Sequence, residues 1–251
     1  MLLLSGSPLK AADYQLGAGV EYFSWREYIA TCPRILEERG PRFFLSLNEV
    51  DHEPGKWDYR FQGKVYAAAV LYDGFYQNCA PLTATTTYIG AIAEAGITRW
   101  LGEPSPRQRL PQLGINFGLG FDTWRRTIVT SGGYSEDYAI GFARLGLAAK
   151  RGKDWSAQAG IKHPFSTYEV AHLQAAGFSS DAVLRPKGAY SYFANIKYQP
   201  SRRYTLLIYY DGYRFNASDS VPISGCPTSP CAVHQPTSHQ DTVGFTLFWN
   251  Q

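Results

Sequence analysis

The sequence predicts an all-β chain, a single antiparallel up-and-down barrel of about ten strands with its apolar face turned outward. Three observations predict it. Apolar residues alternate with small or polar ones through ten separate stretches. Short connections follow the second, fourth, sixth and eighth stretches, while most of those after the odd ones are longer. All four cysteines fall in connections that follow odd stretches. Successive side chains of a strand point to opposite faces, so strict alternation reads as a strand with two unlike faces.

The clearest stretch is Leu113–Trp124. Leu113, Ile115, Phe117, Leu119 and Phe121 fall on one face; Gly114, Asn116, Gly118, Gly120 and Asp122 fall on the other. A helix would scatter these residues around its circumference, and three glycines would each weaken it. Its length also exceeds the five or six residues of an ordinary strand and suits a tilted membrane-spanning one.

The same pattern opens the chain at Tyr14–Tyr28, with Leu16, Ala18, Val20 and Tyr22 opposite Gln15, Gly17, Gly19 and Glu21. Arg42–Val50 sets Phe43, Leu45 and Leu47 against Ser46 and Asn48, and the polar run 51–56 is a compact turn. Tyr59–Tyr72 carries Phe61, Val65, Ala67, Ala69 and Leu71 opposite Arg60, Gln62 and Lys64. Thr86–Trp100 opposes Ile89, Ala91, Ala93 and Ala95 to Gly90 and Glu94. Beyond Leu113–Trp124, strands follow at Tyr138–Ala149, which holds Arg144, and at Trp155–Tyr168, which holds Lys162. Tyr190–Tyr198 holds Lys197, Tyr204–Phe215 holds Asp211, and Thr242–Trp249 is the last strand. Twelve strands is the alternative count, reached if residues 33–40 or the long connection after the seventh strand is read differently.

The chain of 251 residues is ample for one undivided barrel. A net charge of +3 without any basic run excludes a nucleic-acid partner as the organising theme. No apolar stretch is long enough for a membrane helix. The negative mean hydropathy fits a barrel whose polar interior dilutes its greasy wall. Residues 1–12, with a short apolar run ending in Ala11-Ala12, read as a signal-peptide remnant before a barrel at 13–251. An exported chain can oxidise Cys32, Cys79, Cys226 and Cys231, and Cys226 with Cys231 and Cys32 with Cys79 is one of three connectivities.

By its architecture the chain resembles the family of bacterial outer-membrane β-barrel proteins. The resemblance extends over about residues 14–251. Val243-Gly244-Phe245-Thr246-Leu247-Phe248-Trp249 looks like the terminal signal read by the barrel-assembly machinery, except that Asn250 and Gln251 follow the aromatic. The resemblance implies short periplasmic turns, longer extracellular loops, periplasmic termini, and contact with outer-membrane lipid and lipopolysaccharide. It also implies aromatic girdles, for which Trp57, Trp155 and Trp249 are the candidates. Trp25, Trp100 and Trp124 fall by parity on the inner face.

The inner face carries Glu21, Glu94, Asp122 and Asp211 against Arg60, Lys64, Arg144, Lys162 and Lys197. In a narrow lumen such charges are expected to pair, since an unpaired buried charge is costly. A structural or surface-interaction barrel with a lumen filled by ion pairs is the first functional expectation. A narrow porin-like channel or transporter for small polar solutes is the second. The outside loops, rich in Ser, Thr, Gly, Pro and Tyr, suit docking of a surface or periplasmic protein partner.

No catalytic constellation, metal motif or cofactor motif stands out. Asp51-His52 are adjacent and point apart, and His163 lacks a recognisable partner segment. Cys226-x4-Cys231 has no second pair, so zinc is not expected. The omptin family of outer-membrane proteases also has ten strands and uses Asp and His at the outer rim. There, the best-placed group here is His172, with Asp137 or Asp181 as conceivable partners.

Overall fold

A computed structural model describes residues 13–28, 35–53, 57–75, 80–102, 110–152, 154–224 and 231–250, with the side chains of 51–53 excepted. The strands are β1 (Asp13–Tyr28), β2 (Leu36–Glu53), β3 (Trp57–Phe75), β4 (Pro81–Trp100), β5 (Gln112–Val129), β6 (Ser135–Arg151) and β7 (Trp155–Ala171). They continue as β8 (Ala182–Leu184), β9 (Lys187–Ala189), β10 (Ser191–Tyr198), β11 (Tyr204–Asn216), β12 (Val221–Ile223), β13 (Cys231–Val233) and β14 (Thr237–Asn250).

Each of β1–β7 pairs antiparallel with the next. β7 pairs β10, β10 pairs β11, β11 pairs β14, and β14 returns to β1, so the sheet closes on itself. β9 continues β10 as one stave, which makes ten staves around the ring. The short β8 pairs with β7, and β12 with β13. Closure removes every free strand edge from the wall.

The faces sort as the alternation predicts. Around the ring Leu16, Phe43, Leu45, Val65, Ile89, Phe117, Phe121, Leu147, Ile208 and Val243 are exposed on the outside, Ile89 at 66% and Leu147 at 70%. Trp155 and Trp249 are also exposed and lie over Tyr198 and Tyr204, while Trp57 is half-buried beneath the Arg99 guanidinium. Trp25, Trp100 and Trp124 are buried inside.

Connection lengths follow the alternation with one departure. On the side of the termini the connections are 54–56, 101–111, 152–154 and 199–203. The stretch 101–111 is longer than 76–80 and 130–134 on the opposite side. The longest, 172–186 and 217–236, share that opposite end and fold together. There Ala171, Leu173, Ala182 and Leu184 form a small core with Phe178, Val221, Ile223 and Val233. Cys231 opens β13; Cys32, Cys79, Cys226 and residues 1–12 lie outside the described residues.

Two prolines lie inside strands of the wall. Pro41 sits inside β2, where the ladder to β3 lapses between the pairs Arg39–Leu71 and Phe43–Ala67 while the ladder to β1 continues. Pro164 sits inside β7, where the register shifts opposite Gly141 and Phe142, as proline in a sheet requires a bulge or an unpaired site.

Inward glycines answer inward aromatics on the next strand. Phe142 lies across Gly120, its register partner, so closely that a Cβ there would stand 2.2 Å from the ring. Tyr66 does the same over Gly90. Phe44 over Gly19 and Tyr209 over Gly244 repeat the arrangement. A large ring thus folds down along the wall, and glycine is the residue that leaves room for it.

The charged lumen as candidate functional site

The interior is layered, and each layer is built by strand parity. At the end away from the termini, Arg126 of β5 is 2% exposed. Its guanidinium reaches Glu38 at 2.7 Å, Glu136 at 2.5 Å and Glu27 at 3.4 Å. Three carboxylates around one guanidinium need further donors. Trp25 Nε1 donates to Glu27 at 2.8 Å, Thr86 Oγ1 to Glu38 at 2.9 Å and Tyr138 to Glu136 at 3.1 Å, while Tyr88 also donates to Glu38. Glu169, fully buried nearby, makes a fourth carboxylate in this layer.

In the middle layer Glu21 takes Arg42 at 2.6 Å and Lys64 at 2.9 Å, with the Tyr209 hydroxyl donating as well. Asp122 is held by two hydroxyls instead of a cation, Tyr66 and Tyr213, each at 3.1 Å. Arg42 stacks on Phe23 and Tyr66, 4.2 and 4.4 Å from the ring centres. Nearer the termini, Glu94 binds Arg60 at 2.5 Å and Arg144 at 2.9 Å. Asp211 binds Arg144 and Lys162, both at 2.7 Å. Lys197 lies lower, and its one polar contact among the described residues is Gln15 Oε1 at 3.5 Å.

The nine charges read from the sequence thus all face inward; seven of them are ion-paired, while Asp122 and Lys197 make no ion pair among the described residues. Arg42 of the Glu21 pair and the whole separate layer around Arg126 are residues the sequence reading passed over. Arg42, Arg126, Glu27, Glu38, Glu136 and Glu169 are those residues. Between the layers, Phe23, Trp25, Tyr66, Tyr88, Trp124, Tyr138, Phe142, Tyr213 and Phe215 pack into one core. The half of the lumen away from the termini is therefore solid with side chains.

A closed antiparallel ring with an apolar wall and an ionic interior has one physical habitat, a lipid bilayer, because each wall residue would otherwise face water. The chain is an outer-membrane-type β-barrel. No family model matches it, and no curated protein sequence matches it. Solved structures similar to the barrel include the outer membrane protease OmpT from Escherichia coli, at 12% identity, 95% of this chain, 94% of that chain and a TM-score of 0.48. The translocator domain of the autotransporter NalP from Neisseria meningitidis is 9% identical over 96% of this chain and 90% of that one, with a TM-score of 0.41. Neisserial surface protein A is 7% identical over 95% and 98%, with a TM-score of 0.36.

At the barrel's rim, His172 stands between two carboxylates. Its Nε2 is 2.9 Å from Asp137 and its Nδ1 is 3.0 Å from Asp181, while Arg125 grips Asp137 with two 2.7 Å contacts. Both partners named from the sequence are present. The hydrogen bond to Asp137, then that to Asp181, raises the His172 pKa above its ordinary 6.5. The His172 hydrogen bond in turn lowers that of Asp181. With both nitrogens engaged, the imidazolium is a clamp that ties the connection after β7 to β6, and it leaves no lone pair for a base.

The sign follows from linkage. A raised folded pKa means that the His172 contribution is complete below its unfolded value and is lost as pH rises through the folded one. The lowered Asp181 works oppositely, lost as pH falls through its folded value. The clamp is thus tightest in the mildly acidic window between them. Histidine NMR titration of the refolded barrel is expected to place His172 above 6.5, and Asp181→Asn to move it down. An unshifted His172 signal would refute the clamp.

Proposed function

We propose that this barrel serves the bacterial outer membrane as a structural or surface-interaction protein, with its termini in the periplasm. The single observation that supports this most is the filled outer half of the lumen, where Trp25, Arg126, Tyr138, Tyr213 and Phe215 are all 2% exposed or less. A pore needs a water-filled cross-section, and rings backed by ion pairs oppose one. The apolar wall would contact outer-membrane lipid and lipopolysaccharide, and the barrel-assembly machinery would insert it. Above the wall, the small core of Leu173, Ala182, Leu184 and Ile223 holds the two longest connections as a fixed platform. Such a platform suits a protein partner, and disulfides among Cys32, Cys79, Cys226 and Cys231 would brace it further.

The rival reading is a narrow channel for small polar solutes. Planar-bilayer recording decides between them, with Lys64→Glu beside the wild type and insertion verified by heat-modifiable migration. The expected result is insertion without discrete openings. Openings whose ion selectivity shifts in Lys64→Glu would establish the channel instead.

A further inference from the structure

The layer around Arg126 holds one carboxylate more than its donors serve. Glu27 accepts from Arg126, Trp25 and Gln235, and Glu38 from Arg126, Thr86 and Tyr88. Glu136 accepts from Arg126 and Tyr138. Glu169 of β7 is fully buried beside them, and neither of its oxygens receives a hydrogen bond. The Tyr138 hydroxyl lies near both Glu136 and Glu169 and gives its one proton to Glu136, at 3.1 Å. No lysine, arginine or histidine pairs with Glu169 among the described residues.

The groups that face Glu169 come from several elements. β1 supplies Glu27, β5 supplies Arg126, and β6 supplies Glu136 and Tyr138, with Tyr134 just before it. β8 sets Leu184 opposite Glu169 and carries no titratable side chain. β9 brings Lys187, whose amine goes to the exposed Asp219, and β11 brings Tyr213, whose hydroxyl goes to Asp122. β10 pairs with β7 only as far as Lys162. The one cation in reach, Arg126, is already divided among three carboxylates. A carboxylate so placed loses its hydration without gaining a counter-ion, and the form that a dry site admits is the neutral acid.

We infer that Glu169 is carried as the neutral acid and works as a proton latch for the platform of long connections above it. Ionised, it would set a fourth negative charge against a single guanidinium, and the segment pushed off is the one paired with it. Glu169 opposes Leu184 and Ala171 opposes Ala182, and these three apolar residues belong to the small core that holds the platform. The folded chain then keeps a proton that the unfolded chain gives up, so this contribution to stability is lost as pH rises. His172, three residues on, acts at the same joint and in the same direction, since its clamp also loosens as pH rises. The platform is therefore locked under mildly acidic conditions and released under alkaline ones. The inference stands on the geometry of this layer, whether or not the platform meets a partner.

Infrared difference spectroscopy of the refolded full chain at neutral pH tests the proton directly, wild type against Glu169→Gln. The amide mimics the neutral acid and cannot ionise, and heat-modifiable migration checks that the variant folds. The expected difference contains a carboxylic-acid carbonyl band contributed by the wild type alone. Urea titration in lipid vesicles from mildly acidic to alkaline pH then tests the latch. Across that range the unfolding equilibrium constant should rise about tenfold more in the wild type than in Glu169→Gln, the equivalent of one pH unit of proton retention. His172 is common to both proteins and cancels. At one alkaline pH, limited proteolysis should cut residues 172–186 faster in the wild type than in the variant. A difference spectrum without the acid band overturns the inference. Equal pH dependence of the two proteins, or equal cutting, overturns the latch. Conductance bears on the plugged reading and touches none of these results, so the two failures are distinguishable.

Discussion

Arg126→Met is expected to lower the unfolding free energy of the refolded barrel by about 3–5 kcal/mol, the usual result of leaving buried carboxylates without their counter-ion. The methionine keeps the bulk and removes the five donors. Glu38 would retain Thr86 and Tyr88, Glu136 would retain Tyr138, and Glu27 would retain Trp25 and Gln235. Hydroxyls, an indole and an amide do not neutralise charge, so the layer would hold net negative charge in a dry interior. Urea titration in lipid vesicles measures the loss. Adding Glu38→Gln to Arg126→Met should recover part of it, because one of the orphaned charges is then gone. An unchanged midpoint for the single variant would falsify the view that this guanidinium organises the end away from the termini.

Gly120→Val tests the wall in a different way. Its new Cβ would meet the Phe142 ring at 2.2 Å, and that ring is fully buried. The ring cannot swing away freely, since Tyr213 meets it edge-on at 5.9 Å and Lys162 lies 4.4 Å above its centre. Overpacking of this kind costs about 1–3 kcal/mol and sometimes more. The expected readout is slow or incomplete conversion to the compact, heat-modifiable form. Phe142→Ala should cost stability alone yet rescue Gly120→Val, a sign reversal that only direct contact produces. Additive losses would refute the ring-over-glycine account.

The interior charges show how far the sequence could be read. Glu21, Lys64, Glu94 and Asp211 lie between outward apolar residues, so parity assigns them inward with no structure at hand. Arg126, Glu136 and Glu169 lie one or two residues past the last clear alternation, at Trp124, before Tyr138 and after Tyr168. Beyond the apolar band both faces of a strand are polar or mixed, and the period-two signal disappears although the strand continues. β5 runs on to Val129 and β7 to Ala171 for that reason. Glu38 was hidden differently. Gly40-Pro41 reads as a break, yet Pro41 lies inside a strand because only one of its two ladders lapses there. His172 with both aspartates was legible as a set of residues, but not as a clamp with both nitrogens engaged. The cavity of about 580 Å³ at the terminal end was not legible at all, since a hollow depends on which rings fill the rest of the lumen.

The seam between β14 and β1 has a consequence for assembly. It pairs Gln15 with Asn250 and Tyr28 with Thr237, so the first and last strands of the ring are immediate neighbours. Every other junction of the wall joins segments closer along the chain. Until β14 is in place the sheet is an open ribbon, with β1 at one margin and β11 at the other, each offering a row of unpaired amides and carbonyls to lipid. Closing it costs the entropy of bringing together segments separated by almost the whole chain. Completion is therefore a single late event, and a partly made wall has an incentive to recruit any foreign strand that can stand in for the missing one.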